Sequence, residues 1–263
     1  FMEKQRDTYR FIHDQTVRHM NAGFTSTEIA EKVVMPPTLN SFLSGRGYYG
    51  TVSHNVKAVY QFYMGWFDAN PANLNPLPPV EAAKRYVDVA GGMDALLNKA
   101  EEAVNKGEYR WAAELLKHAV YADHENSRAK ALLAQSFDQM GYMAESAPWR
   151  NFYLTGALEL REGGYSEGFK RTAFLDMLKH TPTERFLEGM AAALNSDKAE
   201  GEDIQINLVF SDTQESYVLR INNSVLHHRA GKPEEGSAAT LTLSKPFFLN
   251  MMTGEAGATD LLF

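Results

Sequence analysis

Apolar residues recur every three or four positions up to Leu160 and alternate with polar ones from Ile204 onward. The first spacing predicts helices, the second half-buried strands. Glu3–Ala22 reads as a helix with Phe11, Ile12, Val17 and Met20 on its apolar face and Gly23 as its stop. Thr25-Ser26-Thr27-Glu28 has the form of a capping box and opens a short helix through Ile29–Val33, ended by Pro36-Pro37. A brief helix over Pro37–Leu43 follows. Asn55–Ala69 is predicted helical, with Val56, Val59, Tyr60, Tyr63 and Phe67 on one stripe. Four prolines make Asn70–Pro79 an extended connector, and Pro79 suits the first position of a helix over Val80–Ala90.

Two helical pairs come next. Met93–Asn105 and Tyr109–Ala122 flank Lys106-Gly107; Ser127–Met140 and Glu145–Leu160 flank Gly141-Tyr142. Gly107 and Gly141 are 34 positions apart, the period of tetratricopeptide-like helical hairpins. Two such pairs bury too little alone and are expected to stack on the preceding helices. From about Gly164 the texture changes. Phe169–Leu178 is a short helix, and Thr181–Leu194 a longer one, with Thr181 as cap, Pro182 in the first turn and Glu184 three positions on. Ile204–Phe210, Ser216–Asn222, Ser224–Arg229 and Ala239–Leu243 read as meandering strands, with Asn222-Asn223 as a tight hairpin turn. Ser244–Thr253 is helical. The expected organisation is a mostly helical domain over 1–163, a linker over 164–180 and an α+β domain over 181–263.

Composition narrows the function classes. Against 26 Lys and Arg stand 33 Asp and Glu, a net charge of −7 that argues against nucleic-acid binding. Without cysteine there is no disulfide and no thiolate metal site. No apolar run approaches the ~18–20 residues that span a bilayer. The opening FMEKQRDTYRF is charged and carries no apolar signal core.

The densest chemistry lies in Gly45–Pro79, GRGYYGTVSHNVKAVYQFYMGWFDANPANLNPLPP. Gly45, Gly47 and Gly50 permit tight turns. Tyr48 and Tyr49 place two phenols beside Ser53, His54 and Asn55 in a polar, aromatic loop that feeds a helix. The run YYGTVSHNVKAVYQFYMGWFDANPANLNPLPPVEAAKRYV resembles the dimerisation domain of alkylsulfatases, enzymes built on a zinc-dependent metallo-β-lactamase-type catalytic domain. The run ATLTLSKPFFLNMMTGE, Ala239–Glu255, and the helix–strands–helix order before it resemble the sterol-carrier-protein-2-like domain that closes those enzymes. That fold encloses an apolar tunnel. The chain stops at Asp260-Leu261-Leu262-Phe263, before the last strand and helix such a domain would have, so the domain is expected to be incomplete.

The resemblance implies the C-terminal portion of an alkylsulfatase that hydrolyses esters such as dodecyl sulfate to alcohol and sulfate. This portion would dimerise, complete the substrate pocket and offer apolar surface for the alkyl tail. It also implies two zinc ions, held outside this chain, and a periplasmic or secreted location. The zinc site of that family needs a His-x-His-x-Asp-His run. Histidines 13, 19, 54, 118, 124, 180, 227 and 228 include no His-x-His, and His227-His228 on one strand should face opposite ways. No metal site is expected here, and the chain alone is expected to be inactive. Ser53-His54 lacks the G-x-S-x-G elbow of a serine hydrolase. In the family, a tyrosine of this domain lines the sulfate pocket. The match points to the Tyr48-Tyr49 pair, with Tyr49 preferred and Arg46 and His54 as secondary sulfate contacts; the alternative is that both tyrosines are packing aromatics at a domain seam and Arg46 a surface guanidinium. Phe62, Tyr63, Trp66 and Phe67 read first as core or interface packing, and Glu101-Glu102 and Glu234-Glu235 as solvated faces. The competing reading is a freestanding, non-catalytic helical-repeat protein that binds a lipid or a partner.

Overall fold

The computed structural model describes residues 2–164 and 175–257. The chain divides into two compact units, Phe1–Tyr165 and Ser166–Phe263. The first is helical: α1 (Met2–Asn21), α2 (Ser26–Lys32), α3 (Pro37–Asn40), α4 (Val52–Met64), α5 (Pro79–Val89), α6 (Met93–Asn105), α7 (Tyr109–Ala122), α8 (Ser127–Met143) and α9 (Ala147–Glu162). Tight 3-10 turns at Leu43–Gly45 and Pro71–Asn73 punctuate the connectors.

Two cores organise this unit. Ile12 of α1, Ile29 of α2 and Val56 and Tyr60 of α4 form one, together with Val33 and Met35. Thr25 donates its backbone N–H to the Glu28 carboxylate at 2.8 Å, the reciprocal half of the predicted box, and this bonding holds the Glu28 carboxyl below its usual range. The second core runs through α6, α7 and α8 as Leu96, Leu97, Ala100, Leu116, Ala119, Ala129 and Leu133. The small residues among these let the helices approach closely. Burying each leucine here stabilises the fold by about 1.5–3 kcal/mol.

The helical pairs form, but the second hinge lies elsewhere. α8 runs through Gly141 to Met143, and the corner is Ala144–Ser146. Gly141 is a packing glycine: a Cβ there would sit 2.8 Å from Leu154 Cδ2 of α9. Gly107 does end its helix, with φ of +76°. α4 also differs from expectation. It starts at Val52 because Thr51 caps it, accepting from the His54 N–H at 2.9 Å, and it ends at Gly65 with φ of +71° rather than at Ala69.

The second unit contains α10 (Leu175–Lys179), α11 (Thr183–Ala193), β1 (Ile204–Phe210), β2 (Ser216–Asn222), β3 (Val225–Ala230), β4 (Ala239–Leu243) and α12 (Lys245–Thr253). The Phe169–Leu178 expectation falls partly outside the described residues. Thr181 is not the cap of α11; its hydroxyl donates to the Met177 carbonyl, and Pro182 occupies the cap position. The hairpin turn is Asn223-Ser224, one residue on from expectation. Both have positive φ, 51° and 60°, and Asn222 pairs with Val225 across the turn.

The sheet order is β3-β2-β1-β4, with β4 parallel to β1. It is therefore not a simple meander. The eight residues 231–238 carry the chain from one edge to the other across a sheet face. On the opposite face Leu208, Phe210, Tyr217, Leu219 and Leu243 pack with Leu187 of α11 and Phe248 of α12. The Phe210 and Phe248 rings meet edge-on at 5.4 Å. Under the crossing segment lies Asn207, 2% exposed. Its Nδ2 donates to the Glu234 carbonyl and to Thr240 Oγ1, both at 3.0 Å. Its Oδ1 accepts from the Glu234 N–H at 3.0 Å and from Ser237 Oγ at 3.2 Å.

Candidate functional site

The Gly45–Thr51 loop lies between a 3-10 turn and the first turn of α4. Gly47 is needed where the loop folds on itself, since a Cβ there would stand 3.0 Å from the Gly50 carbonyl oxygen. That bend sends Tyr49 outward, 82% exposed, while Tyr48 is half-exposed with the Arg46 guanidinium 5.5 Å from its ring centroid.

All four predicted residues are tied to one corner, the turn from α8 into α9. Arg46 pairs with Glu145 at 2.6 Å. The Tyr48 carbonyl accepts from the Ala147 N–H at 2.8 Å. The Tyr49 carbonyl accepts from the Ser146 hydroxyl at 2.6 Å. His54 Nδ1 accepts from Trp149 Nε1–H at 3.0 Å. An indole N–H only donates, so this bond fixes the neutral His54 tautomer with its proton on Nε2. Ser146 is 1% exposed and also caps α9, accepting from the Trp149 N–H. The Ser53-His54 pair makes no nucleophile–base unit, because the imidazole is engaged by Trp149.

Two clefts flank the loop. One, of about 370 Å³, lies between α1 and the loop and is bordered by Gln5, Tyr9, Arg46, Tyr49, Gly50 and Asn55. The other, of about 320 Å³, lies between the start of α4 and the corner, bordered by Thr51, Ser53, Glu145, Ser146 and Trp149. Hydroxyl, amide and guanidinium donors line the first cleft beside the Tyr9 and Tyr49 rings. Such a surface accepts an oxyanion with an apolar neighbour.

The remaining candidates separate. Trp66 and Phe62 are 71% and 81% exposed, so neither is a core residue of this unit. Tyr63 bonds through its hydroxyl to His13 Nε2 at 2.8 Å. Among the described residues no three His, Asp or Glu side chains gather to hold a metal. His118 stacks on Tyr86 at 4.4 Å, and burial pushes its pKa down. Also among the described residues, no helix is long and apolar enough to cross a membrane.

Family models settle the lineage. The alkyl sulfatase dimerisation model matches residues 25–163, and the alkyl sulfatase C-terminal model matches residues 171–263. The chain belongs to the alkylsulfatase family. It is 44% identical over 256 residues to a linear primary-alkylsulfatase of Pseudomonas, covering 97% of this chain and 38% of that protein. It is 45% identical to the alkyl/aryl-sulfatase BDS1 of Saccharomyces cerevisiae, covering 99% and 40%. Among solved structures, the stereoselective inverting sec-alkylsulfatase Pisa1 from Pseudomonas superposes with a TM-score of 0.92 at 40% identity, covering 99% of this chain and 41% of that one. The alkylsulfatase chain described here thus spans about two fifths of the length of these relatives. Its helical unit corresponds to the family's dimerisation part and its α+β unit to the C-terminal part.

The sequence did not reveal Glu145, Ser146, Ala147 and Trp149 as supports of the tyrosine loop. Ser146-x-x-Trp149 carries a helix-cap signal, but nothing in it names a partner 97 positions away. Gln5 and Tyr9 of α1, ahead of the dimerisation match, were also missed.

Proposed function

We propose that this chain is the C-terminal portion of a zinc-dependent alkylsulfatase that hydrolyses alkyl sulfate esters to alcohol and sulfate. In this reading it forms the homodimer, completes the substrate pocket and presents apolar surface to the alkyl tail. The family membership and the outward-facing Tyr49 beside a polar cleft support it most directly. In the same reading the two zinc ions, and the hydroxide they would supply, belong to a metallo-β-lactamase-type segment outside this chain. The residues here bind and orient. The Tyr49 phenol donates to a sulfate oxygen, the His54 Nε2–H is a second neutral donor, and Arg46 contributes charge from its pair with Glu145. Exposed aromatics around Phe62 and Trp66 serve dimerisation or the tail. A periplasmic or secreted location belongs to the same proposal.

The test is Tyr49→Phe in the full-length enzyme. One charge-assisted hydrogen bond to a sulfate is worth about 1.5–3 kcal/mol, roughly ten- to a hundred-fold in kcat/KM. Folding should be unaffected, because a hydroxyl this exposed contributes no packing. A silent Tyr49→Phe with an impaired Tyr48→Phe would move the contact to Tyr48. If both are silent, the loop has no role in binding sulfate.

A further inference from the structure

The four contacts between the tyrosine loop and the α8–α9 corner differ in kind. Two grip the backbone: the Ser146 hydroxyl holds the Tyr49 carbonyl at 2.6 Å, and the Ala147 N–H holds the Tyr48 carbonyl at 2.8 Å. Two grip side chains, Glu145 on Arg46 and Trp149 on His54. A backbone grip fixes where a side chain starts without touching its functional end. Tyr49's ring is 82% exposed, and among the described residues its hydroxyl has no hydrogen-bond partner, so its placement depends on the carbonyl behind it. Ser146 meets this need in a water-excluded position. It donates to Tyr49 and accepts from Trp149, the residue that orients His54.

We infer that Ser146 is a positioning residue for substrate binding, acting through the Tyr49 backbone, with Ala147 doing the same for Tyr48. The inference rests on the reading that Tyr49 meets the sulfate ester. Removing the hydroxyl leaves the phenol in place chemically but frees the loop that aims it. Misplacement of a binding group by about 1 Å can cost roughly a hundred-fold.

The experiment is a double-mutant cycle in the full-length enzyme, with kcat and KM for dodecyl sulfate measured separately. Ser146→Ala is expected to lower kcat/KM roughly ten-fold or more, and Ser146→Thr, which keeps the donor, to restore it. In the Tyr49→Phe background, Ser146→Ala should cost clearly less than in the wild type, the remainder passing through Trp149 and His54. Ala147→Pro is the second variant. It deletes the N–H that holds Tyr48, while proline is favoured at the first position of a helix, so α9 should stay folded. Amide exchange on the 263-residue chain gives a readout independent of turnover. Both variants should speed exchange over 46–51, while Ala147→Pro leaves α9 protected. Fully additive losses overturn the inference, as does unchanged exchange in the loop. A costly Tyr49→Phe with a silent Ser146→Ala overturns it while leaving the sulfate contact standing. A silent Tyr49→Phe overturns both.

Discussion

Asn207 is the best place to test how the sheet of the second unit is held together. It lies at the centre of β1, buried, and its one amide makes four hydrogen bonds that join β1 to Glu234, Ser237 and Thr240. Asn207→Ala removes all four. At a net value near 1 kcal/mol each the loss would be about 4 kcal/mol. The 231–238 segment can lift and return its freed groups to water, so the expected destabilisation is about 2–4 kcal/mol. Asn207→Asp keeps the two accepting contacts and loses the two donating ones, and it sets a buried carboxylate facing the Glu234 carbonyl. Burial would raise that carboxyl's pKa. The folded state then binds the proton more tightly than the unfolded state, so the Asp variant should recover stability as pH falls. All three tryptophans, at 66, 111 and 149, lie in the first unit, so their fluorescence reports the wrong half of the molecule. Amide exchange over β1, β4 and residues 231–238, followed in urea, is the suitable assay. Wild-type protection in Asn207→Ala would show that the segment is held by something other than this amide.

The isolated chain should sediment as a dimer at micromolar concentration, because Phe62, Met64 and Trp66 leave apolar surface open on the first unit; a single species near 29.5 kDa would contradict this. Gly141→Val should destabilise the first unit by about 1–3 kcal/mol through its clash with Leu154, measured by tryptophan-monitored urea unfolding, and an unchanged midpoint would mean that α9 can shift away freely. The Tyr217 phenol is pushed up to about 12, first by burial and then by its hydrogen bond to Glu184. Its contribution to stability is complete below the ordinary tyrosine pKa near 10 and is lost as pH rises toward 12. Tyr217→Phe should remove that alkaline component from the unfolding profile, and a profile identical to wild type would exclude Tyr217 as its source.

Where structure follows from local pattern, it was legible. Met93–Asn105 and Tyr109–Ala122 fall on their predicted limits because an apolar stripe, a Gly stop and the next helix start all agree. Ile204–Phe210 and Ser216–Asn222 do so because alternation and flanking turn residues agree. Errors arose where one residue type serves two purposes. Gly141 has the look of a hinge but is there to admit Leu154, and only the facing helix distinguishes the two. Thr181 has the look of a cap, yet its hydroxyl reaches back to Met177. The order of β4 depends on Asn207 and a segment almost thirty positions away, beyond any local window. For the candidate site, the loop that bears Tyr48, Tyr49, Arg46 and His54 was visible in its composition. Its supports were not, because Ser146 and Trp149 are ordinary helix-start residues until the fold brings α4 beside them.

The distance along the chain between Tyr49 and Ser146 has a temporal meaning. During synthesis the tyrosine loop leaves the ribosome 97 residues ahead of the hydroxyl that holds it. At about 5–20 residues per second, that is roughly 5–20 s during which α1 to α4 can collapse but the loop has no anchor. The tyrosine loop is thus among the last parts of the first unit to be set, completed only when the α8–α9 hairpin docks. A nascent chain halted before residue 146 would carry the aromatic loop without the backbone anchors that give it its shape.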